Sequence, residues 1–323
     1  MLLQFCCCSR GLLGLLCAVA AVFPASSWAE LPPHRQPVIG VLTIPNDPAA
    51  DVTSNYSTID ASYVKWLEQG GAIVTPVLFN ATAEEVTRQF RTLSGVLFTG
   101  GPAKPTEFTR YWQTEQLLLS LAREHAMPLW GTCLGFQSIA DIVAGATDVL
   151  TDVDAEDLSL SLELTAAAPT SRLLGSGTVP DDVLAALTSS NYTTNWHMYG
   201  VTPETFAASL AVPAAGMVAL STNRDRGGLA FVSTMEHASL PIYATQWHPE
   251  ANQFDRDHRT VDHSGGACAT MQWLANFFVG EARSKGLGPG DVGPIDDVGT
   301  YPVRSIGTGY SAGLSALKYV FED

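Results

Sequence analysis

The sequence predicts an α/β fold with a mostly parallel central sheet and helices on both faces. Short, continuously apolar segments recur along the chain, amphipathic segments alternate with them, and glycine turns end several of them. Continuous apolar runs indicate strands buried on both faces, which requires helices on each side of the sheet. The 323 residues, 46% of them hydrophobic, are enough for one large core.

The elements of the first half alternate regularly. Short apolar runs predict strands at residues 38–42, 73–78 and 95–98, with a fourth strand beginning at Pro128. Amphipathic spacing predicts helices at Ile59–Glu68, Ala83–Leu93, Glu107–His125 and Phe136–Val143. In the second of these, acids precede arginines, as the helix dipole prefers.

The second half mixes strands with loops. It is predicted to contain strands at residues 217–221, 229–235 and 242–247 and a terminal helix at 269–282. Beyond Lys285 the composition is rich in Gly and Pro, which indicates a loose tail. Within this tail, the sequence leaves open whether Tyr310–Phe321 forms a short element that packs on the domain. The predicted organisation is a leader at 1–29, a catalytic domain at 30–284 and the tail at 285–323.

The N-terminus has the pattern of a signal peptide. Met1–Arg10 ends in a cation and contains no acid, Gly11–Phe23 is apolar, and the small residues Ser27 and Ala29 precede Glu30. The apolar run is short for a membrane span, so cleavage is favoured over the alternative of a signal anchor. No later stretch is apolar enough to cross a bilayer, and a secretory route is expected.

Composition limits the compartment and the partners. The formal charge of −15 argues against nucleic acid as a partner and fits a protein of an acidic compartment. Four cysteines lie in the leader, and the two that remain, Cys133 and Cys268, are interpreted as separate thiols. Three sequons provide candidate glycosylation sites in an exported chain, at Asn55, Asn80 and Asn191.

Cys133 is a candidate nucleophile. It follows a short apolar strand, is flanked by Gly131 and Gly135, and opens a helix. A strand–turn–helix of this kind holds its central side chain in a strained, exposed position. The helix N-terminus favours the thiolate, and the N–H of Leu134 is a candidate donor to an oxyanion. A buried structural cysteine is the alternative.

Gln246–Glu250 is the second motif that bears chemistry. His248 follows an apolar strand, which places it at the carboxyl edge of the predicted parallel sheet, where ligands gather. Glu250 is close enough in sequence to orient the imidazole ring, so that Cys133, His248 and Glu250 would form a triad. A lone histidine is more often a packing or surface residue, and the surrounding motif is what favours function.

These motifs resemble a known family. Gly131–Gln137 and Gln246–Glu250 are similar to the paired signatures of class I glutamine amidotransferase-like domains, and the chain most resembles the γ-glutamyl hydrolase branch, which cleaves folylpolyglutamates. Further similarity lies in Pro37–Leu42, Ala61–Glu68 and Leu97–Gly101, and the resemblance covers roughly residues 36–284.

The resemblance implies a role for each matching residue. Cys133 matches the nucleophile, His248 the base and proton donor, and Glu250 the third member of the triad. Gly101 matches the loop whose N–H joins that of Leu134 in the oxyanion hole. Two further matches are candidate substrate-binding residues, His197 and Gly100.

The chain departs from the family at Gln137, where the family commonly has Glu, so the environment of the thiolate differs by one charge. No spacing identifies the cations that bind the substrate's glutamate carboxylates, and three basic residues are candidates only: Lys104, Arg224 and Arg226.

The implied function is cysteine-dependent hydrolysis of γ-glutamyl amide bonds in folylpoly-γ-glutamates, without a metal or organic cofactor. Lysosome, vacuole and extracellular space are the expected destinations, and a homodimer is expected from the resemblance. Two alternatives stay open at this point: a glutaminase subunit that supplies ammonia to a synthase, and a catalytically silent binding protein.

Overall fold

The computed structural model describes residues 36–45, 56–102, 109–145, 149–255, 258–286, 300–301, 303–307 and 315–322. The chain divides into residues 1–34, none of which is described, and a unit of residues 35–323. The predicted leader, Asn55 and Lys104 therefore lie outside the described residues.

The described residues form fourteen strands: β1 Val38–Leu42, β2 Ile44–Pro45, β3 Tyr56–Asp60, β4 Ile73–Val77, β5 Gly95–Phe98, β6 Leu129–Thr132, β7 Thr151–Leu160, β8 Glu163–Leu164, β9 Thr193–Gly200, β10 Met217–Arg224, β11 Ala230–His237, β12 Ile242–Thr245, β13 Val303–Gly307 and β14 Ser315–Glu322. The α-helices among them are α1 Ala61–Glu68, α2 Ala83–Phe90, α3 Thr109–His125, α4 Leu134–Ala144, α5 Asp181–Ser189, α6 Pro203–Thr205, α7 Ala251–Phe254 and α8 Gly265–Lys285. A 3₁₀ turn at Ala168–Thr170 and a π-helical turn at Phe206–Leu210 complete the helical elements.

The central sheet has eight strands in the order β4-β1-β5-β6-β12-β11-β10-β8. The five strands from β4 to β12 run parallel, and the pairs from β12 to β8 are antiparallel. The parallel part contains every strand predicted from the first half of the sequence. The predicted mostly parallel sheet is confirmed.

Both faces of this sheet are covered by helices. In β1, Val38 and Leu42 pack into one apolar cluster, which receives side chains from α2, α3 and α4. Ile39 and Val41 point to the opposite face and join a second cluster that receives side chains from α1, α5 and α8. This alternation is the pleat of a strand buried on both faces, which explains its continuous apolar sequence.

Two smaller sheets flank the central one. The first has the order β13-β14-β3-β2, and its strands β14 and β13 come from the segment that the sequence placed in the Gly/Pro-rich tail. The second consists of β7 and β9, which pair antiparallel with register shifts near Ala155. The predicted domain boundaries at residues 29 and 284 stay predictions.

Some element boundaries differ from the sequence predictions. The first helix begins at Ala61 instead of Ile59, because residues 56–60 form β3 and the Asp60 side chain caps the helix at the N–H of Ser62. The terminal helix is longer than predicted, since Ser264 caps it at the N–H of Ala267. The strands β3, β7 and β9 were not predicted. No helix in the described ranges combines the length and hydropathy that crossing a bilayer requires.

A carboxyl group is buried in the core, on the face of the central sheet that α3 covers. Glu115 of α3 is fully buried, and burial raises the pKa of its carboxyl well above its usual range. The hydroxyls of Ser138 and Tyr111 lower this pKa in part, and the charge of Asp141 raises it further. Burial therefore favours the protonated, neutral form of Glu115.

We expect Glu115→Gln to remove a pH dependence of stability. Because the folded-state pKa is raised, the contribution of Glu115 is greatest below its unfolded value of 4.5 and is lost as pH rises toward the folded value. The free energy of unfolding of the wild type should thus fall relative to the variant by up to about 1.4 kcal/mol per pH unit. Urea unfolding of both proteins from mildly acidic to neutral pH measures this difference. Glu124→Gln, at an exposed site on the same helix, is the control, and parallel curves for wild type and Glu115→Gln would contradict the prediction.

Candidate active site

The candidate site lies where three neighbouring parallel strands end. The strands β5, β6 and β12 are adjacent in the central sheet, and they run directly into Thr99–Gly101, Cys133 and Gln246–His248. The carboxyl edge of a parallel sheet is where α/β proteins bind ligands. The topology therefore brings together segments that are far apart in sequence.

Cys133 occupies a sharp turn between β6 and α4. Its backbone φ is 52°, a conformation that is strained for a residue with a Cβ. Its N–H donates to the carbonyl oxygen of Thr245 at 2.9 Å, and the N–H of Gly135 donates to that of Thr99 at 3.1 Å. These bonds fasten the turn to β12 and to the end of β5.

The predicted strain at Cys133 is present, but the predicted exposure of its side chain is wrong. Only 4% of the residue is exposed, and Sγ lies 3.8 Å from the carbonyl oxygen of Trp196. Trp196 belongs to β9, a strand that the sequence did not predict, and this strand passes over the thiol. Cys133 and Cys268 are both free thiols, as predicted.

His248 is held by its Nδ1 and its backbone. The Nδ1–H donates to Oε1 of Glu250 at 2.7 Å, and the His248 N–H donates to the carbonyl oxygen of Thr194 at 2.9 Å. The exposed fractions of His248 and Glu250 are 7% and 2%. Within the described part of the chain, Nε2 makes no hydrogen bond of ordinary geometry, and Cys133, like Glu250, interacts with the ring. The second ring nitrogen is therefore available for proton transfer.

The electrostatics of the site favour a protonated imidazole. Burial alone lowers the pKa of His248, but the negative charges of Glu250 and Cys133 outweigh it and raise the pKa well above its usual range. Both groups act strongly on the ring because the three side chains are buried. The environment therefore favours the imidazolium form of His248.

The glycines after β5 allow close approach of the other two segments. A Cβ on Gly100 would lie 2.9 Å from Cε1 of His248 and 3.4 Å from Cβ of Cys133. A Cβ on Gly101 would lie 2.5 Å from Cδ2 of Leu134. The two predicted donors of an oxyanion hole, Gly101 and Leu134, are thus brought into contact, while the N–H of Gly100 donates to the hydroxyl of Tyr63 at 2.8 Å.

Two residues at the site were missed as functional candidates. The Tyr63 hydroxyl lies 3.3 Å from Nδ1 of His248. The Trp196 ring packs between two imidazoles, 4.6 Å from His248 and 4.3 Å from His258 between ring centroids. Helical spacing indicates only a core face for Tyr63, and Trp196 lies in a polar stretch. The one available signal for Tyr63 was that its helix belonged to the family resemblance.

His197 lies beside the site with its ring directed into the protein. Its Nδ1 is 3.0 Å from the carbonyl oxygen of Tyr199, its Nε2 is 3.1 Å from Oδ1 of Asn195, and its edge packs against Phe231. Burial lowers its pKa to about 3, so the ring is neutral. Both nitrogens face protein oxygens, and the predicted role in substrate binding stays a prediction.

Two of the three basic residues that were candidates for binding substrate carboxylates, Arg224 and Arg226, lie in the described ranges, and both bind oxygen atoms of this chain. A guanidinium nitrogen of Arg226 lies 2.7 Å from Oδ1 of Asp154, and Arg224 donates to the carbonyl oxygen of Gly228 at 3.0 Å. Gln137 donates to the carbonyl oxygen of Tyr199 at 2.9 Å, which ties α4 to β9. Neither arginine is thereby identified as a carboxylate ligand.

The remaining predicted sites concern sugars and metals. Asn191 is exposed in the turn after α5, and Asn80 is half-buried in the turn after β4. Within the described ranges, no group of three or more His, Cys, Asp or Glu side chains has an arrangement that would hold a metal ion.

Comparison with known proteins identifies the family. Residues 51–264 match the model of the glutamine amidotransferase class-I family. Gamma-glutamyl hydrolase B of Dictyostelium discoideum is 34% identical over 77% of this chain and 73% of its own length. The chain belongs to the γ-glutamyl hydrolase family. Gamma-glutamyl hydrolase 1 of Arabidopsis thaliana is 35% identical over the same shares of the two chains.

A solved structure supports the fold of this family member. The glutaminase domain of Trypanosoma brucei CTPS, solved with bound acivicin, aligns with a TM-score of 0.50 and 15% identity over 77% of this chain and 94% of that domain. At this identity the likeness concerns the fold alone. The family resemblance and the fold class read from the sequence are both confirmed.

We expect Gly100→Ala to disturb the site without unfolding the protein. The added Cβ would approach Cε1 of His248 to 2.9 Å and the Tyr63 hydroxyl to 2.7 Å, so both side chains must shift from their present positions. The rate of alkylation of Cys133 by iodoacetamide should fall by about tenfold as the thiolate loses its counter-charge. Peptide mapping by mass spectrometry separates this thiol from Cys268.

Gly280→Ala is the matched control for this substitution. A Cβ at Gly280, in α8, meets no atom within 4 Å, so this variant should react like the wild type and be slightly more stable. Equal alkylation rates in wild type and Gly100→Ala would show that the close packing at Gly100 does not position the imidazole.

Proposed function

We propose that this protein hydrolyses the γ-glutamyl amide bonds of folylpoly-γ-glutamates, with Cys133 as nucleophile. The observation that carries the proposal is the arrangement of His248, whose Nδ1 binds Glu250 at 2.7 Å beside the buried Cys133, in a member of the γ-glutamyl hydrolase family. The proposal that the substrate carries a folate moiety rests on the sequence resemblance.

The first half-reaction forms an acyl-enzyme. The Cys133 thiolate attacks the carbonyl carbon of the γ-linked amide, and a C–S bond forms while the carbonyl oxygen takes negative charge. His248 transfers its proton to the leaving amine as the C–N bond breaks. The raised pKa of His248 keeps the proton on the ring until that moment.

The second half-reaction releases the product. His248, now neutral, takes a proton from water, and the hydroxide attacks the thioester carbon. The C–S bond then breaks, and the thiolate returns to its place beside the imidazolium. No metal or organic cofactor takes part in this cysteine chemistry.

Two supporting roles complete the proposal. The N–H groups of Gly101 and Leu134 lie on segments in mutual contact and would bind the oxyanion of each tetrahedral intermediate. Glu250 fixes the ring orientation and the Nδ1–H tautomer through its 2.7 Å hydrogen bond. His197 and Gly100 remain proposed contributors to substrate binding.

We also propose the secretory route for this protein. The sequence support is the leader pattern at residues 1–29 and the three sequons at Asn55, Asn80 and Asn191. Lysosome, vacuole and extracellular space are the proposed destinations, with glycans on the sequons and a homodimer as the proposed assembly.

We expect the protein to shorten the tail of pteroyl-pentaglutamate, and Cys133→Ala to abolish this cleavage because it removes the proposed nucleophile. Chromatography of the products, at mildly acidic and neutral pH, measures both. Cleavage that persists in Cys133→Ala would exclude the proposed nucleophile. Ammonia release from glutamine without cleavage of the polyglutamate would favour the glutaminase alternative, and inactivity in both assays would favour a binding protein.

We expect Glu250→Gln to reduce kcat and to move the alkaline limb of kcat/KM to lower pH. The carboxylate of Glu250 raises the pKa of His248, so its loss lets the imidazolium lose its proton at lower pH. General acid–base catalysis of this kind is worth about two orders of magnitude or more in kcat. A pH–rate profile with the polyglutamate substrate measures both effects.

Glu236→Gln is the control for the loss of a buried carboxylate. Glu236 accepts the N–H groups of Arg172 and Leu173, away from the site. Its replacement should lower stability and leave the alkaline limb in place. An unchanged limb in Glu250→Gln would remove Glu250 from the proposed triad.

A further inference from the structure

Tyr63 contacts two parts of the site that follow different strands of the central sheet. Its hydroxyl oxygen lies 2.8 Å from the N–H of Gly100, which donates to it, and 3.3 Å from Nδ1 of His248. The residue is 4% exposed, and its ring lies in the apolar cluster between α1 and the central sheet. Of the whole ring, the hydroxyl alone is directed at the groups of the site.

We propose that Tyr63 is a positioning residue that holds the imidazole of His248 and the Gly100–Gly101 loop in one fixed relation. This inference rests on the proposed function and deepens it. The proton donor and the oxyanion-binding loop come from different strands, β12 and β5, and each must stand correctly relative to the Cys133 sulfur. One hydroxyl bonded to both fixes their spacing.

The Tyr63 oxygen can accept two hydrogen bonds at the site. The oxygen has two lone pairs, of which one accepts the Gly100 N–H and the other faces the Nδ1–H of His248. That Nδ1–H makes its stronger bond to Glu250 at 2.7 Å, so Tyr63 is its secondary acceptor. Burial raises the pKa of Tyr63 well above its usual range, and the nearby charges of Glu250 and Cys133 raise it further, so the hydroxyl keeps its proton.

The occupied N–H of Gly100 has a consequence for the oxyanion hole. Because this N–H donates to Tyr63, it is already paired, and Gly101, which packs against Leu134, is the other glycine of the loop. Tyr63 thus also restrains the peptide unit at Gly100. A phenylalanine at this position would fill the same space but would leave the Gly100 N–H unpaired.

The position of Tyr63 is itself fixed from outside the site. It lies in the first turn of α1, which begins directly after β3 and is capped by Asp60. The strand β3 pairs with β14, and Asp60 stands opposite Lys318 in that pairing. The hydroxyl is therefore anchored through the β13-β14-β3-β2 sheet as well as through the core.

The test is Tyr63→Phe, assayed with pteroyl-pentaglutamate. Loss of one buried hydrogen-bonding hydroxyl should lower kcat by about tenfold, with KM changed by about twofold or less. The alkaline limb of kcat/KM should move to lower pH by about half a unit, since the imidazolium loses an acceptor. The other titratable groups that face the imidazole are unchanged in the variant: Glu250, Cys133, Glu156, His197 and, across the Trp196 ring, His258.

Tyr243→Phe separates positioning from stability. The Tyr243 hydroxyl donates to Glu281 at 2.8 Å, so this variant loses one partly buried hydrogen bond of the same kind outside the site. It should lose stability while keeping kcat and the alkaline limb of the wild type. If Tyr63→Phe behaves in the same way, the inference is overturned.

If Tyr63→Phe does not fold, 3-fluorotyrosine at position 63 provides a second test, because it keeps the hydroxyl and weakens it as an acceptor. A shift of the alkaline limb of kcat/KM to lower pH supports the inference, and an unmoved limb overturns it.

Failure of the proposed function is distinguishable from failure of this inference. If the wild type cleaves no γ-glutamyl bond, the proposed function fails, and NMR titration of labelled His248 still compares wild type with Tyr63→Phe. A lower imidazole pKa in the variant supports the positioning role, and equal pKa values contradict it. If the wild type cleaves and Tyr63→Phe matches it in kcat and pH profile, only the inference fails.

Discussion

The turn at Cys133 is the constraint on which the rest of the site depends. A residue with a Cβ at φ 52° costs on the order of 1–3 kcal/mol, and the surrounding structure must hold it there. Bonds from the turn to Thr245 and to Thr99 supply this restraint, and both reach strands that neighbour β6. Close packing adds to it, because a Cβ on Gly135 would lie 2.6 Å from the Phe98 carbonyl oxygen. The same bonds that hold the strained turn therefore place Cys133 relative to His248 and to the Gly100–Gly101 loop.

The site is also an arrangement of charges from which water is largely excluded. His248, Glu250 and Cys133 are each less than a tenth exposed, and an isolated charge in such a place would be costly. The imidazolium is stable there because negative groups flank it on both sides. Trp196 contributes by covering both the thiol and the ring of His248, and it comes from the small sheet of β7 and β9.

The sequence was sufficient for the parts of the fold with a strong local signal. The strands β1, β4, β5 and β6 are continuous apolar runs, and a run of this kind has few alternatives to a buried strand. Cys133 and His248 were identifiable because glycines and a proline mark the backbone around them. In contrast, β7 is rich in acids and carries few fully buried residues, so no apolar pattern marks it.

The positions of Tyr63 and Trp196 at the site could not be predicted from the sequence, because no local pattern indicates them. A tyrosine on the apolar face of a helix has the same pattern whether its hydroxyl meets solvent or an imidazole, since only tertiary contacts decide. The burial of Cys133 was missed because the covering strand β9 was missed. Errors in the small sheets thus became errors about the environment of the site, while the residues at the ends of the parallel strands were placed correctly.

The pairing of β3 with β14 has a consequence for how the protein folds. Residue 60 pairs with residue 318, so this contact closes a very long loop and forms late compared with the local βα units of the parallel sheet. During synthesis, β3 emerges long before its partner and presents an unpaired edge. A chaperone that shields this edge, or the early packing of α1 on the central sheet, would protect the nascent chain from pairing with a neighbouring copy.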